Sequence, residues 1–188
     1  MINNLWNWLI WAWCGFEILV ALVTHTRKSG GKVQDRGSMF LLWIAIFTSI
    51  TASELIRALV PAARLHNVDW LSPFLLTVLL AGIVIRLTAI VTLGKSFSVN
   101  VAIRTEQTMQ ETGLYRIVRH PSYLGLLIIF FAIGLQTRNW ASLIAVLIPT
   151  TLALLYRIHV EEDALLAHFG EDYAAYCRET KRLIPGVY

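Results

Sequence analysis

Charge is scarce in this chain. Of its 188 residues, 15% are Asp, Glu, Lys or Arg, against about 25% in an ordinary globular domain. Apolar residues make up 56%, so most of the surface need not face water. This excludes a typical soluble domain and points to a protein embedded in a bilayer. Cysteine is nearly absent: Cys14 lies in an apolar run and Cys177 in a polar tail. Two such residues make no disulfide framework, and no His/Cys/Asp cluster has metal-site spacing. Gly-x-Gly-x-x-Gly and Gly-x-x-x-x-Gly-Lys-Ser/Thr are missing too. The Gly30-Gly31 pair sits in a linker and opens no dinucleotide site. The net charge of +4 comes from short basic clusters between apolar runs, not from one stripe. Neither nucleic acid nor a metal is therefore expected as a partner.

What is present is long apolar runs. Residues 2–23, 39–60 and 71–93 each form one. About 22 residues of helix span roughly 33 Å, enough for a hydrocarbon core of about 30 Å. No basic stretch precedes the first run and no small-residue cleavage site follows it, so it reads as a retained span. Residues 122–136 and 140–160 form two more runs, separated by Gln136-Thr137-Arg138-Asn139. They predict a helical hairpin whose first arm is short. The expected fold is an all-α polytopic membrane domain over residues 1–188, with about five transmembrane helices. Residues 1–93 supply three spans, and residues 94–188 supply the helical hairpin and the C-terminal tail. Lys and Arg concentrate in linker 24–38, linker 94–121 and the tail, while the opposite segments hold Arg64 and Arg138. Positive-inside then predicts an outer N-terminus and a cytoplasmic C-terminus. Within linker 94–121, Val99, Val101 and Ile103 alternate and allow a short extended segment. The tail 161–182 has helical spacing broken near Gly170. It is expected to lie along the membrane surface or to cap the site.

Ionisable residues inside spans are costly and mark function by default. Glu17, Arg86 and the Glu54/Arg57 pair are such residues. Glu54 and Arg57 share a helix face, and Arg86 lies close enough to the span's end to snorkel. In Arg119-His120-Pro121-Ser122-Tyr123-Leu124-Gly125, Pro121 suits a first helical turn and disfavours helix at His120. A helix start flanked by Arg119 and His120 can receive an anion such as a carboxylate, or can simply anchor at the interface. Arg157 and Glu161 are four apart, in the weaker order for an intrahelical pair, and Glu162 adds repulsion. A carboxylate cluster there suits a cationic ligand.

Together, Gly113-Leu114-Tyr115, Arg119-His120-Pro121-Ser122-Tyr123 with Gly125, Arg157-x-x-x-Glu161-Glu162, Phe169-Gly170-x-x-Tyr173-x-x-Tyr176 and Arg182-x-x-Pro185 resemble the isoprenylcysteine carboxyl methyltransferase family. Related membrane phospholipid N-methyltransferases share the Arg-His-Pro and Glu-Glu elements. The resemblance covers roughly residues 94–186, while the first two spans match only as apolar helices. It implies an S-adenosylmethionine-dependent methyltransferase of the membrane, with the cofactor in a cytoplasmic pocket reached from the bilayer. By position, Asn100, Gln107, Thr108, Met109 and Gln110 would line that pocket. Tyr115, His120, Pro121, Ser122 and Tyr123 would continue it, and Glu161 would complete it. Arg157 would bind substrate. Gln107-Thr108-Met109-Gln110 departs from the segment common in the family, which leaves backbone contacts for that stretch.

The residue chemistry agrees. A sulfonium donor needs chiefly a nucleophile placed in line with its methyl group. A carboxylate acceptor is ionised at neutral pH and needs no base, and Arg157 could hold it at two points. An amine or thiol would need one, with Glu162 or a tyrosine as candidate. The expected acceptor is a lipophilic or lipid-modified carboxylate, with a phospholipid amine or small thiol as alternatives. Outside enzymes, a membrane-binding protein that kept the fold and a small transporter using Glu17 and Arg86 stay open.

Overall fold

Backbone polar groups in hydrocarbon must be satisfied within their own segment, so long apolar runs become helices. The computed structural model shows α1 Ile2–Thr24, α2 Ser38–Leu59, α3 Leu71–Leu93, α4 Pro121–Gln136, α5 Trp140–Phe169 and α6 Glu171–Glu179. It describes every residue except 1, 25–31, 34, 36, 67–68, 98–101 and 104–107. Four helices are long and apolar enough to cross a membrane, and α4, with 16 residues, is the shorter fifth. This is the expected all-α polytopic architecture. The one sheet among the described residues is a two-residue antiparallel pair, β1 Lys32–Val33 against β2 Ala102–Ile103. It joins the two basic linkers and meets the extended segment expected near Ile103. Val99 and Val101 lie outside the described residues.

The fifth apolar run ends near residue 160, but its helix does not. α5 continues to Phe169 as a 30-residue helix, roughly 45 Å long. Its last two to three turns therefore project past the apolar run and carry Glu161 and Glu162 out of it, with Arg157 one turn earlier at the run's end. Gly170, at φ +56, ends α5 and starts α6, a backbone state that side chains disfavour. At the opposite end of the helices, Asn139 closes the α4–α5 hairpin. Its Oδ1 accepts from Ser142 N at 3.0 Å, and its Nδ2 donates to Val60 O at 2.9 Å. Ser142 Oγ donates to Ser53 O at 2.7 Å, fastening α5 to α2.

A close helix crossing joins α3 to α4 through the facing glycines Gly82 and Gly125. A Cβ on Gly125 would lie 2.8 Å from Arg86 N and Gly82 O. Small residues at such crossings let backbones approach where apolar burial gives no drive. The crossing brings Arg86 of α3 against Ser122 of α4. Leu75, Leu79, Ile129 and Ala132 fill the core beside it. Leu126, Phe130, Val146 and Leu154 fill the space between α4, α5 and α2. α1 joins this core along one edge: Trp6 belongs to it and Leu9, Ile10 and Trp13 pack against it, while only Trp6 and Val20 of its described side chains are buried.

Candidate active site

Pro121 begins α4 and directs His120 away from the helix into the interior. The buried imidazole stacks on Tyr123, with centroids 5.5 Å apart and planes 16° off parallel. It reaches both glutamates of α5: His120 Nδ1 lies 3.8 Å from Glu161 Oε2, and Nε2 lies 3.3 Å from Glu162 Oε1. Consecutive helical residues diverge by about 100°, so the two carboxylates serve different surroundings. Glu161 faces a cavity of about 630 Å³ and accepts from Tyr123 Oη at 2.7 Å. Glu162 turns to the C-terminal segment. It receives Arg119 Nε at 3.0 Å and Arg182 Nε at 2.8 Å.

Arg119 fixes that segment further. Its Nη1 donates to the carbonyls of Cys177 and Thr180, its backbone N–H to Lys181 O at 2.7 Å, and the next N–H, of His120, to Arg182 O at 3.0 Å. α6 is thereby held over the cavity, which Tyr173 and Tyr176 line. Tyr176 Oη donates to Tyr115 O at 2.5 Å, and Tyr115 Oη to Ala89 O at 3.3 Å. Burial pushes the Tyr176 phenol up to about 12 and raises Tyr115 and Tyr173 as well. At neutral pH these phenols stay protonated and do not serve as bases.

Two guanidinium groups stand where the cavity turns from polar to apolar. Arg157 donates through Nε to Tyr123 Oη at 2.9 Å and through Nη1 to Asp35 Oδ1 at 2.9 Å and Ser38 Oγ at 3.0 Å. Asp35 in turn caps α2, accepting from Ser38 Oγ at 2.8 Å and Met39 N at 3.3 Å. Burial alone would raise the Asp35 carboxyl. The Ser38 hydroxyl, the Arg157 charge and the Met39 amide outweigh it and hold the group below its ordinary range. Arg86 donates through Nε and Nη2 to the two oxygens of Glu17, the latter contact at 2.7 Å, and through Nη1 to Ser122 Oγ at 2.6 Å. Beyond this junction the wall is apolar, with Trp13 and Ile18 of α1 facing Leu42, Trp43, Ile46 and Phe47 of α2.

Residues 75–167 match the isoprenylcysteine carboxyl methyltransferase family. The chain is 32% identical over 175 residues to protein-S-isoprenylcysteine O-methyltransferase B of Arabidopsis thaliana, covering 91% of this chain and 86% of that protein. The chain belongs to the isoprenylcysteine carboxyl methyltransferase family. It is also 33% identical over 127 residues to protein-S-isoprenylcysteine O-methyltransferase of Tribolium castaneum, covering 65% of this chain and 44% of that protein. The solved eukaryotic intramembrane Ras methyltransferase of the family superposes with a TM-score of 0.59 at 28% identity, over 77% of this chain and 52% of that one. The chain thus spans about half the length of these last two relatives. It is a multi-pass membrane protein. The family match begins within α3, earlier than the motifs of residues 94–186 indicate, and the Arabidopsis alignment extends over most of the chain.

Within this family framework the expected site residues separate into groups. Thr108, Met109, Gln110 and Tyr115 line the cavity, as do His120, Ser122, Tyr123, Glu161 and Arg157. Asn100 and Gln107 lie outside the described residues. Pro121 is buried and shapes the start of α4 without lining the cavity. Glu162, a candidate base in the sequence for an amine or thiol acceptor, lies toward the C-terminal segment. Two arginines and His120 hold it, and it does not line the cavity. Arg119, expected beside an anion site, is committed to Glu162 and to tail carbonyls. Arg157 and Glu161 are linked through the Tyr123 hydroxyl and not by the simple intrahelical bridge. Arg86 does not snorkel; it pairs with Glu17. Sequence reasoning missed Asp35, whose signal was an Asp three residues before Ser38 at the start of an apolar run, a helix-capping pattern.

Proposed function

We propose that the protein transfers a methyl group from S-adenosylmethionine to the carboxylate of a lipophilic acceptor of the isoprenylcysteine type, at a site on the cytoplasmic side of the membrane. The observation that carries this reading is a single cavity with two characters. Its polar end is built from Gln110, Tyr115, His120, Tyr123 and Glu161, its apolar end lies between α1 and α2, and Arg86 and Arg157 stand at the junction. Such a cavity suits a polar donor at one end and a lipid-like chain at the other. Its volume falls within the range of small-molecule sites, about 300–1,000 Å³.

The donor set fits S-adenosylmethionine. Glu161 offers an anion to a cationic ligand, and Gln110 and Tyr115 add hydrogen-bonding groups. The cofactor supplies a methyl group already activated by its sulfonium charge. What is left to the chain is placement. The acceptor carboxylate titrates near 4 and is ionised at neutral pH, so no proton need be removed. The locked Glu162 and the protonated phenols of Tyr115, Tyr173 and Tyr176 accord with a reaction that uses no base. The clamp of Arg119 and Arg182 on Glu162 keeps α6 over the polar end, where it excludes water from the donor. Positive charge in linkers 24–38 and 94–121 supports a cytoplasmic orientation.

Calorimetric titration of S-adenosylhomocysteine into the protein in lipid, wild type beside Glu161→Gln, tests the donor site. Saturable binding that is lost in the variant is expected. A folded wild-type protein that binds none in lipid or in detergent overturns the reading.

A further inference from the structure

The two cations at the cavity junction are neutralised in different ways. Asp35, the partner of Arg157, is built into the start of α2 by Ser38 and the Met39 amide, and α2 packs along α5. Glu17, the partner of Arg86, sits on α1, a helix with two buried residues among its described side chains that packs chiefly on α3. Besides the Glu17–Arg86 pair, α1 meets the cavity wall through the edge of Trp13 on Phe130, with centroids 6.0 Å apart. The Trp13 indole also donates to Glu17 at 3.0 Å. Glu17 grips Arg86 with both carboxylate oxygens, the geometry by which an arginine holds any carboxylate. An unpaired guanidinium at this depth would be costly, so Arg86 needs an anion whether or not an acceptor is present.

We propose that Glu17 is a displaceable stand-in for the acceptor's carboxylate. It neutralises Arg86 between turnovers. An entering amphiphile places its own carboxylate on Arg86, releases Glu17 and lets α1 swing from the cavity rim, between α1 and α2, where the acceptor's chain lies. Methylation turns that anion into a neutral ester, which no longer competes with Glu17. The returning Glu17 then favours release of the product. The device selects for anionic acceptors, because a neutral amphiphile leaves Arg86 latched. This inference rests on the methyltransferase reading above.

The test is steady-state methyl transfer to a prenylated cysteine carboxylic acid by the protein in lipid nanodiscs, comparing wild type, Glu17→Gln and Glu17→Asp. In Glu17→Gln the competing charge is gone. The KM for the acid is expected to fall by about five- to tenfold, within the usual range of coupling between two ligands of one site. The KM for the methyl donor stays as it was, and inhibition by the product methyl ester, which Glu17 no longer helps to expel, strengthens. Glu17→Asp keeps the charge but shortens the reach, so it gives a smaller change of the same sign and serves if the amide variant does not fold. Glu54→Gln, in an exposed pair away from the cavity, leaves all three quantities unchanged. An acid KM that is unchanged, or that rises while kcat falls, overturns the latch and leaves Glu17 as a mere holder of Arg86. Absence of methyl transfer by the wild-type protein overturns the activity itself, and the latch with it.

Discussion

The polar end of the cavity and its apolar end are built by opposite means. At the polar end, α4, α5, α6 and the C-terminal segment converge on Glu162, and side-chain bonds from Arg119, Arg182 and His120 meet backbone bonds between residues 119–120 and 181–182. At the apolar end, α1 stands against the rest through few residues, and Trp8, Trp11 and Leu22 face outward. Transfer chemistry tolerates little misplacement, since reacting atoms must sit about 3–3.5 Å apart. A lipid-like chain needs only apolar volume and a way in. The rigid end therefore suits the donor and the loosely packed end suits the acceptor.

Breaking the rigid end should have the largest effect. Glu162→Ala leaves Arg119 and the partly exposed Arg182 without their shared carboxylate, a loss between the ~1 kcal/mol of an exposed pair and the ~3 kcal/mol at the lower end for a buried one. Thermal unfolding in detergent should show a fall in stability, whereas Glu162→Gln should keep part of it. Equal stability of the alanine variant and the wild type would remove the clamp from the account. Next comes Gly125→Ala. Its Cβ would press on the Arg86 backbone at 2.8 Å, and overpacking of this kind costs about 1–3 kcal/mol. Separation of α3 from α4 should lower activity through Arg86 and Ser122 more than it lowers S-adenosylhomocysteine binding. A loss shared equally by both would blur the division between the two ends.

A smaller effect is tied to pH. The folded-state carboxyl of Asp35 titrates below its ordinary range. Its contribution to stability is present above the unfolded value, near 4, and is lost as the pH falls through the lower folded value. Asp35→Asn should cost stability at neutral pH and flatten the acid limb of a stability profile measured below about pH 4. An unaltered acid limb would show that the Asp35–Arg157 link carries none of it. The smallest change belongs to Glu54→Gln. This exposed pair, with Arg57 Nη2 2.9 Å from Glu54 Oε2, is worth under about 0.5 kcal/mol, so its melting curve should overlay that of the wild type.

The sequence revealed the helices better than the contacts between them. Runs 2–23, 39–60 and 71–93 lie within a residue of α1, α2 and α3, because apolar length and helical hydrogen bonding set span boundaries together. Run 140–160 stops short of Phe169 because hydropathy ends where α5 leaves the apolar region, while its hydrogen bonds continue to Gly170. The Arg-His-Pro and Glu-Glu elements were legible as motifs, yet their division of labour was not. That depends on α4 facing α5, which puts Glu161 toward the cavity and Glu162 toward the tail. Glu17 and Arg86 were both noted as ionisable residues in spans. Their pairing, across 69 positions, follows from how α1 meets α3, which no local pattern encodes. Asp35 and Arg157 are 122 positions apart and were hidden for the same reason.

The most direct test of the central claim is radiolabelled methyl transfer from S-adenosylmethionine to a prenylated cysteine carboxylic acid by the purified protein in lipid, wild type beside Glu161→Gln. A base-labile methyl ester is expected from the wild type and almost none from the variant. A wild-type protein that binds S-adenosylhomocysteine but forms no ester with this acid, while methylating an amine or a thiol, would contradict it.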